Sequence, residues 1–214
     1  MKYLLFSHGF GVKKDSRGMF TEIAQNFPEY QPVMFDYNIV NDEINEVTVE
    51  PYSKQAITLE NQITNILEED KEADITLICH SQGCIMPCLI RDINVSKVVL
   101  LAPPKIVGSN MRRKQNVSRG SDGSIRIPRK DGTITIVTTD FIAELDKTVP
   151  IELYDRLSRT IETTMVIAKQ DEILKDIDFS ELADQIKITE IDGDHNFTGE
   201  NRKGLIETLS KILN

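Results

Sequence analysis

Six short apolar runs, separated by longer amphipathic segments, constrain the fold more than any other feature of the sequence. They cover residues 2–7, 32–36, 74–79, 97–102, 163–168 and 185–191. The first five are rich in Leu, Ile, Val and Phe, which is typical of strands covered on both faces, so we expect them at central positions of a parallel sheet. The last run alternates apolar with polar residues, which favours an edge strand.

Helical patterns fill the gaps between these runs. They cover residues 17–27, 53–71, 82–92, 171–183 and 201–213, and the pattern of 171–183 predicts a broken helix. Alternating strands and helices predict an α/β fold, a three-layer sandwich whose six-stranded, mostly parallel sheet has helices on both faces. A chain of 214 residues is long enough for one domain with a two-sided core, so we expect a single domain over residues 1–214.

The alternation breaks down between residues 103 and 150. Runs at 124–128 and 133–137 flank Lys130-Asp131-Gly132, which predicts a β-hairpin, and one short helix follows it. A long excursion after the carboxyl end of a strand is typical of a lid. We therefore expect a small lid over residues 103–150.

Glycine-rich, polar or acid–base groups follow four of the predicted strands. They lie at residues 7–11, 79–83, 169–171 and 193–197. Ligands of open parallel sheets bind outside the carboxyl ends of the strands. The four segments therefore predict one functional site at that edge.

The second of these segments has the pattern of a nucleophile elbow. A serine at a tight strand-to-helix turn exposes its Oγ, and the turn requires small residues two positions before and after it. Here the pattern is Cys79-x-Ser81-x-Gly83, with Cys where Gly is usual. The alternative is that Ser81 only caps an ordinary helix.

A nucleophilic serine needs a base, and the chain has three histidines. His8 and His80 lie inside the tight turns, and His80 is adjacent to Ser81, so neither is well placed to reach Oγ. His195, in the loop after the last strand, is the predicted base. The alternative for His195 is an ordinary histidine of a surface loop.

The base in turn needs a carboxylate to fix its tautomer, and Asp171 directly follows the fifth strand. Asp194, Asp36 and Asp140 are rivals, and Asp171 could also cap a helix. The backbone N–H groups of Phe10 and Gln82 are the predicted oxyanion donors. Gln82 directly follows Ser81, and Gly9 and Gly11 let the loop that carries Phe10 approach the site closely.

Four segments resemble the α/β-hydrolase family: His8-Gly9-Phe10-Gly11, His80-Ser81-Gln82-Gly83, Ala168-Lys169-Gln170-Asp171 and Gly193-Asp194-His195-Asn196-Phe197. Their Ser–Asp–His order is that of the family. The resemblance implies a fold that lacks the family's first two strands. It also implies a carboxylesterase-like serine hydrolase that cleaves a small-molecule ester or thioester through an acyl-enzyme, with Ser81, His195 and Asp171 as the triad. Amide or peptide hydrolysis, acyl transfer and a non-catalytic interaction protein remain alternatives.

Composition narrows the class of protein further. A net charge of −9 argues against nucleic-acid binding, and no stretch approaches the ~20 apolar residues of a membrane span. Three cysteines cannot form a complete disulfide framework, and the N-terminal apolar run is too short for a secretion signal, so we expect a cytoplasmic protein. No metal-binding cluster or phosphate-cradling loop is visible, and we predict no metal and no cofactor.

Residues 105–130 carry an uneven share of charge. They hold eight basic residues and one acidic residue, Asp122. One interpretation is a solvated lid whose charges pair with an acidic stretch at Asp42, Glu43, Glu46 and Glu50. The others are attraction of an anionic substrate and docking of an acidic partner protein.

Overall fold

The computed structural model describes residues 1–108, 117–175 and 178–213. These residues form eleven strands: β1 Lys2–Ser7, β2 Gln31–Met34, β3 Ile39–Asn41, β4 Glu46–Val49, β5 Asp74–His80, β6 Lys97–Leu101, β7 Ser118–Arg119, β8 Ile125–Pro128, β9 Ile134–Val137, β10 Glu162–Ala168 and β11 Lys187–Ile191. The α-helices among them are α1 Met19–Asn26, α2 Tyr52–Glu69, α3 Met86–Leu89, α4 Thr139–Leu145, α5 Pro150–Ser158 and α6 Asn201–Leu213. Two 3₁₀ turns cover Ser81–Ile85 and Ser180–Leu182.

The six predicted strands form one sheet in the order β11-β10-β6-β5-β1-β2, and every neighbouring pair is parallel. The predicted parallel sheet is therefore confirmed, with β11 at an edge as expected. The central position expected for residues 32–36 is wrong, because β2 forms the other edge. Pro32 has no N–H to donate and is tolerated at an edge, where Gln31 and Pro32 are exposed.

Successive residues of the central strands supply two separate cores, one on each face of the sheet. Leu4 and Phe6 of β1 pack with α1 and α6, whereas Tyr3 and Leu5 face α2 and α5. Leu4, Leu5 and Phe6 are fully buried, and burying each such side chain contributes about 1.5–3 kcal/mol. The three-layer sandwich of the prediction is confirmed.

A second sheet, in the order β3-β4-β9-β8-β7, covers one of these faces. Its β8–β9 pair is the predicted hairpin, with Gly132 at a φ of 83° in the turn. β9 also pairs in parallel with β4, so the unit is built from two distant chain segments. Ile127 and Val137 are buried in the same core as Leu5. The sequence did not predict this second sheet.

Three predicted helices are shorter than their patterns indicate. α1 begins at Met19 because Ser16, Arg17 and Gly18 all have positive φ, which a helix cannot include. Residues 82–92 form a 3₁₀ turn followed by the one-turn helix α3, and the described part of 171–183 holds only the turn Ser180–Leu182. None of the described helices has the length and hydrophobicity needed to cross a bilayer.

Candidate active site

Ser81 lies at a strained turn between β5 and the 3₁₀ turn that follows it. Its φ is 54°, in the left-handed region, which costs about 1–3 kcal/mol for a residue other than glycine. A Cβ at Gly83 would lie only 2.6 Å from the carbonyl oxygen of His8, and a Cβ at Gly9 would lie only 3.2 Å from the Cβ of Ser81. The turn therefore packs so tightly against the end of β1 that only a small residue fits at position 83.

Two side chains tie this turn to the rest of the sheet. The Ser7 hydroxyl donates to the carbonyl of Gly83, and the Tyr37 hydroxyl donates to Ser7 Oγ, each at 2.8 Å. Cys79 is fully buried and sits opposite Ser7 in the parallel register. Cys79 therefore occupies the small flanking position as a packed apolar residue.

Ser81, His195 and Asp171 form one hydrogen-bonded chain. His195 Nε2 lies 2.8 Å from Ser81 Oγ, and His195 Nδ1 lies 2.7 Å from Asp171 Oδ2. Because the carboxylate can only accept, Nδ1 carries the proton and Nε2 is free to accept from the serine hydroxyl. The structure thus brings together three residues that lie 90 and 24 positions apart in the sequence.

The environment of Asp171 favours its ionised form. Burial acts to raise the pKa of this carboxyl, but the hydrogen bond from His195 and those from the backbone N–H groups of Leu174 and Ile173 hold the pKa below its ordinary value. The two backbone bonds are those of a cap on the turn after β10. Asp171 therefore caps that turn and orients His195 at once.

The three rival carboxylates have other partners or positions. Asp194 accepts from the backbone N–H and the hydroxyl of Thr198, at 2.7 and 2.5 Å. Asp36 accepts from the backbone N–H of Lys14. Asp140 is exposed in the first turn of α4. Asp171 is the carboxylate that is hydrogen-bonded to the His195 ring.

Residues next to Asp171 also hold the histidine loop. Gln170 Oε1 accepts from the backbone N–H of Gly193 at 2.6 Å, and Glu172 Oε2 accepts from that of His195 at 3.1 Å. Three consecutive residues after β10 thus hold Gly193 and His195 of the loop after β11. This parallel arrangement of the two loops fixes the imidazole before any substrate binds.

A second clamp on the histidine loop is Arg202 of α6. Its Nε and Nη2 donate to the carbonyls of Phe197 and Asn196 at 3.0 and 2.9 Å, and its Nη1 lies 3.0 Å from Glu22. Sequence reasoning missed Arg202. One signal could have indicated it: Arg202 is a basic residue on the buried face of α6, which also carries Leu205 and Leu209, and it follows His195 by seven positions.

His80 and His8 are buried, and both ring nitrogens of each are hydrogen-bonded to groups other than Ser81. His80 donates from Nε2 to the carbonyl of His195 at 2.9 Å and accepts at Nδ1 from Ser16 Oγ at 3.3 Å. His8 accepts at Nε2 from the Tyr37 N–H and donates from Nδ1 to the Gly9 carbonyl. Burial lowers the pKa of His80 to about 3 and also lowers that of His8.

The residues of the two predicted oxyanion donors, Phe10 and Gln82, line the same cleft as Ser81. Gln82 is the second residue of the 3₁₀ turn, where a backbone N–H has no acceptor within the turn. Its side chain points away, with Nε2 3.4 Å from Gln55 Oε1. Phe10 lies in the loop after β1 and lines the same cleft as Ser81. This arrangement can receive a developing negative charge next to Oγ.

Several solved structures are similar to this chain in fold. Est1E from Butyrivibrio proteoclasticus, with ferulic acid bound, is 14% identical with a TM-score of 0.68, over 100% of this chain and 88% of that one. A lipase-esterase related protein from Clostridium acetobutylicum is 18% identical with a TM-score of 0.63, over 98% and 93%. An alpha-beta serine hydrolase homologue from Coxiella burnetii is 14% identical with a TM-score of 0.62, over 100% and 85%.

The chain has the α/β-hydrolase fold. No protein-family model matches the sequence, and no curated protein sequence does so either. At these identities the likeness concerns the fold. The expectation of an α/β-hydrolase fold with a six-stranded sheet is confirmed.

Two clefts meet at Ser81 in this α/β-hydrolase fold. The wider one, of about 520 Å³, is lined by Gly9, Phe10, Val12, Ser16, Arg17, His80, Ser81, Arg129, Glu172, Ile173, Lys175, His195 and Asn196. The narrower one, of about 130 Å³, is lined by Phe10, Tyr52, Ser81, Gln82, Pro104, Ile106, Val107, Gly108, Leu145 and Leu174. The wide cleft carries charged side chains, whereas the narrow cleft is mainly apolar.

The basic residues of 105–130 have different surroundings in the structure. Arg126 forms an ion pair with Glu46, as the interpretation of a paired lid expects, and Lys105 forms one with Glu181 at 2.6 Å. Arg112, Arg113 and Lys114 lie outside the described residues. Of the remaining basic residues, Arg129 faces the wide cleft.

The cysteines contribute to packing. Cys79, Cys84 and Cys88 are buried and free, and the last two pack one helical turn apart. Burial raises the pKa of all three thiols. Within the described part of the chain, no group of three or more His, Cys, Asp or Glu side chains is placed to hold a metal ion.

Proposed function

We propose that the protein is a serine hydrolase that cleaves an ester or thioester of a small molecule through an acyl-enzyme. The observation that carries this proposal is the hydrogen-bonded chain from Ser81 through His195 to Asp171, with distances of 2.8 and 2.7 Å. A serine hydroxyl becomes an effective nucleophile when a base can remove its proton. The chain gives Ser81 such a base in the required tautomer.

The proposed reaction has two stages. Ser81 Oγ attacks the carbonyl carbon while its proton passes to His195 Nε2, and the C–O or C–S bond then breaks as His195 returns that proton to the leaving alcohol or thiol. A water molecule then gives a proton to His195 and attacks the acyl-enzyme, which releases the acid and regenerates Ser81. The backbone N–H groups of Phe10 and Gln82 stabilise the oxyanion in both stages.

The similar structures support this proposal through their descriptions. They include an esterase, a lipase-esterase related protein and a serine hydrolase homologue. A fold hosts many functions, so the weight rests on the arrangement of side chains in this chain. The strained φ at Ser81 supports a functional role for this residue, since such strain concentrates at functional sites. The complete Ser81–His195–Asp171 chain favours catalysis over a non-catalytic interaction protein, which has no need of all three groups.

Hydrolysis of nitrophenyl esters tests the proposal. The wild-type protein is expected to cleave 4-nitrophenyl acetate or butyrate, and Ser81→Ala to lower kcat/KM by at least about 10³-fold. Ser158→Ala is the matched control, because Ser158 ends α5 and its hydroxyl donates to the carbonyl of Asp155 within that helix. Ser81→Ala protein that folds and retains wild-type activity would overturn the proposal.

A further inference from the structure

Arg129 places a guanidinium group in the wide cleft beside Ser81, and within the described part of the chain no carboxylate contacts it directly. No carboxylate of a described residue lies within 4.0 Å of its nitrogens, whereas Arg126, three positions earlier, is paired with Glu46. Arg129 is only partly exposed, so its charge is less screened by water than that of a fully exposed arginine.

Neutral groups hold this guanidinium in place. Its Nε donates to Thr135 Oγ1 at 2.8 Å, and its Nη2 lies 3.4 Å from the carbonyl of Phe10. The guanidinium carbon also lies 5.1 Å from the centroid of the Phe10 ring, in a cation–π arrangement. Arg129 is therefore oriented before a ligand binds, with donor capacity left for an anion.

The other charges in the cleft reinforce its positive character. Arg17 and Lys175 also line it, and Arg17 is 3.6 Å from Asp131. Besides these cations the lining includes one acidic side chain, Glu172, and one of its oxygens accepts from the backbone N–H of His195. Asp131, which is paired with Arg17, and Glu172, which is engaged with His195, do not offset all three cations. The remaining excess of positive charge favours an anionic ligand in this cleft.

The position of His195 decides which part of a substrate lies next to Arg129. In the proposed reaction the leaving group must take its proton from His195 Nε2, so it has to occupy the cleft that His195 lines. That is the wide cleft with Arg129. The acyl group then occupies the narrow cleft beside Gln82, whose walls include Ile106, Val107 and Leu145.

We propose that Arg129 binds a carboxylate or phosphate on the leaving group, an assignment that rests on the proposed hydrolase function. The substrate class is then an ester or thioester of a short apolar acid with an anionic alcohol or thiol. Arg129 is a specificity residue in this account and takes no part in proton transfer. Its charge-assisted hydrogen bonds contribute to binding along the whole reaction.

Three acetate esters with one nitrophenol core test this inference. The nitrophenol is unsubstituted in the first ester, carries a carboxymethyl group in the second and carries a phosphomethyl group in the third. The acyl group is acetyl in all three, so only the leaving group varies. Values of kcat/KM are measured at low ionic strength for the wild type, Arg129→Gln, Arg129→Lys and the control Arg126→Gln. Circular dichroism and thermal unfolding establish that each variant is folded.

We expect the wild type to prefer one anionic ester over the neutral one by at least about 10-fold, which corresponds to one charge-assisted hydrogen bond. Arg129→Gln should abolish most of that preference, Arg129→Lys should retain part of it, and Arg126→Gln should leave it unchanged. The better of the two anionic esters identifies carboxylate or phosphate as the recognised group. A wild type that prefers the neutral ester, or an Arg129→Gln preference equal to that of the wild type, overturns the inference.

A binding measurement separates this inference from the proposed function. Calorimetric titration of the free carboxymethyl and phosphomethyl nitrophenols into Ser81→Ala, with and without Arg129→Gln, requires no turnover. Binding of one anion that weakens at least about 10-fold with Arg129→Gln supports the anion site even if no ester is cleaved. If cleavage depends on Ser81 but Arg129→Gln changes neither the binding nor the substrate preference, the hydrolase function stands and the proposed role of Arg129 is rejected.

Discussion

The Nε2–H of His80 donates a hydrogen bond to the backbone carbonyl of His195 over 2.9 Å, and the two rings lie 5.0 Å apart. The residue before the proposed nucleophile thereby anchors the backbone of the proposed base. His80 Nδ1 accepts from Ser16 Oγ, so both ring nitrogens are satisfied when the imidazole is neutral. Protonation of Nδ1 would break that arrangement inside a buried site.

This anchor makes the stability of the fold depend on pH. Burial lowers the pKa of His80 from 6.5 to about 3, so its contribution is fully present above pH 6.5 and is lost as the pH falls from 6.5 toward 3. Between pH 7 and pH 5 the loss from His80 amounts to about 2 kcal/mol in the free energy of unfolding. Urea unfolding at pH 7, 6 and 5 measures this loss in the free energy of unfolding.

His80→Gln provides the comparison for this measurement. The variant cannot take up a proton at position 80, so its free energy of unfolding should fall less between pH 7 and pH 5, whatever its absolute stability. Carboxylates with lowered pKa values, such as Asp171, titrate below this window. Equal slopes for the wild type and His80→Gln would show that His80 is not buried in its neutral form.

Asp171→Asn should abolish most of the activity without unfolding the protein. An amide in place of the carboxylate can donate to His195 Nδ1, which favours the tautomer that cannot accept from Ser81. We expect kcat to fall by about 10³–10⁴-fold, with a smaller change in KM. The control is Asp194→Asn, which removes a carboxylate next to His195 that bonds to Thr198. An equal loss in both variants would contradict the assignment of Asp171.

Two glycine-to-alanine substitutions should change stability in opposite directions. A Cβ at Gly83 would collide with the carbonyls of Ser7 and His8, so Gly83→Ala should destabilise the turn at Ser81 and lower activity. Gly204 lies within α6 with no atom within 4 Å of an added Cβ, so Gly204→Ala should stabilise the protein by about 0.5–1 kcal/mol. Thermal unfolding measures both, and a Gly83→Ala variant as stable as the wild type would contradict the packing described.

The main sheet could be predicted because its strands are short, apolar and bounded by turn residues. Parallel strands end at the same edge of the sheet. Ser81, Asp171 and His195 each follow such a strand, so they could be placed in one site before any distance was known. The second sheet could not be predicted, because β4 and β9 are separated by 84 residues and each has only four. Pairing over that distance leaves no local pattern in the sequence.

Side chains that support the site were also missed, for a related reason. Tyr37 and Ser7 act through contacts with residues 30 and 76 positions away in the sequence. Arg202 bonds to the nearby carbonyls of Asn196 and Phe197, but no sequence motif marks it. The start of α1 was misplaced because Ser16 and Arg17 adopt left-handed backbone conformations that only their tertiary contacts explain. The hydroxyl of Ser16 bonds to the ring of His80.

Covalent labelling of Ser81 tests the central claim most directly. A fluorophosphonate forms a bond to the oxygen of an activated serine and loses fluoride, so intact mass spectrometry after incubation counts the activated hydroxyls. The account predicts one adduct per wild-type chain, located on the peptide that contains Ser81, and none on folded Ser81→Ala. Wild-type protein that stays unmodified, or an adduct of equal yield on Ser81→Ala, would contradict it.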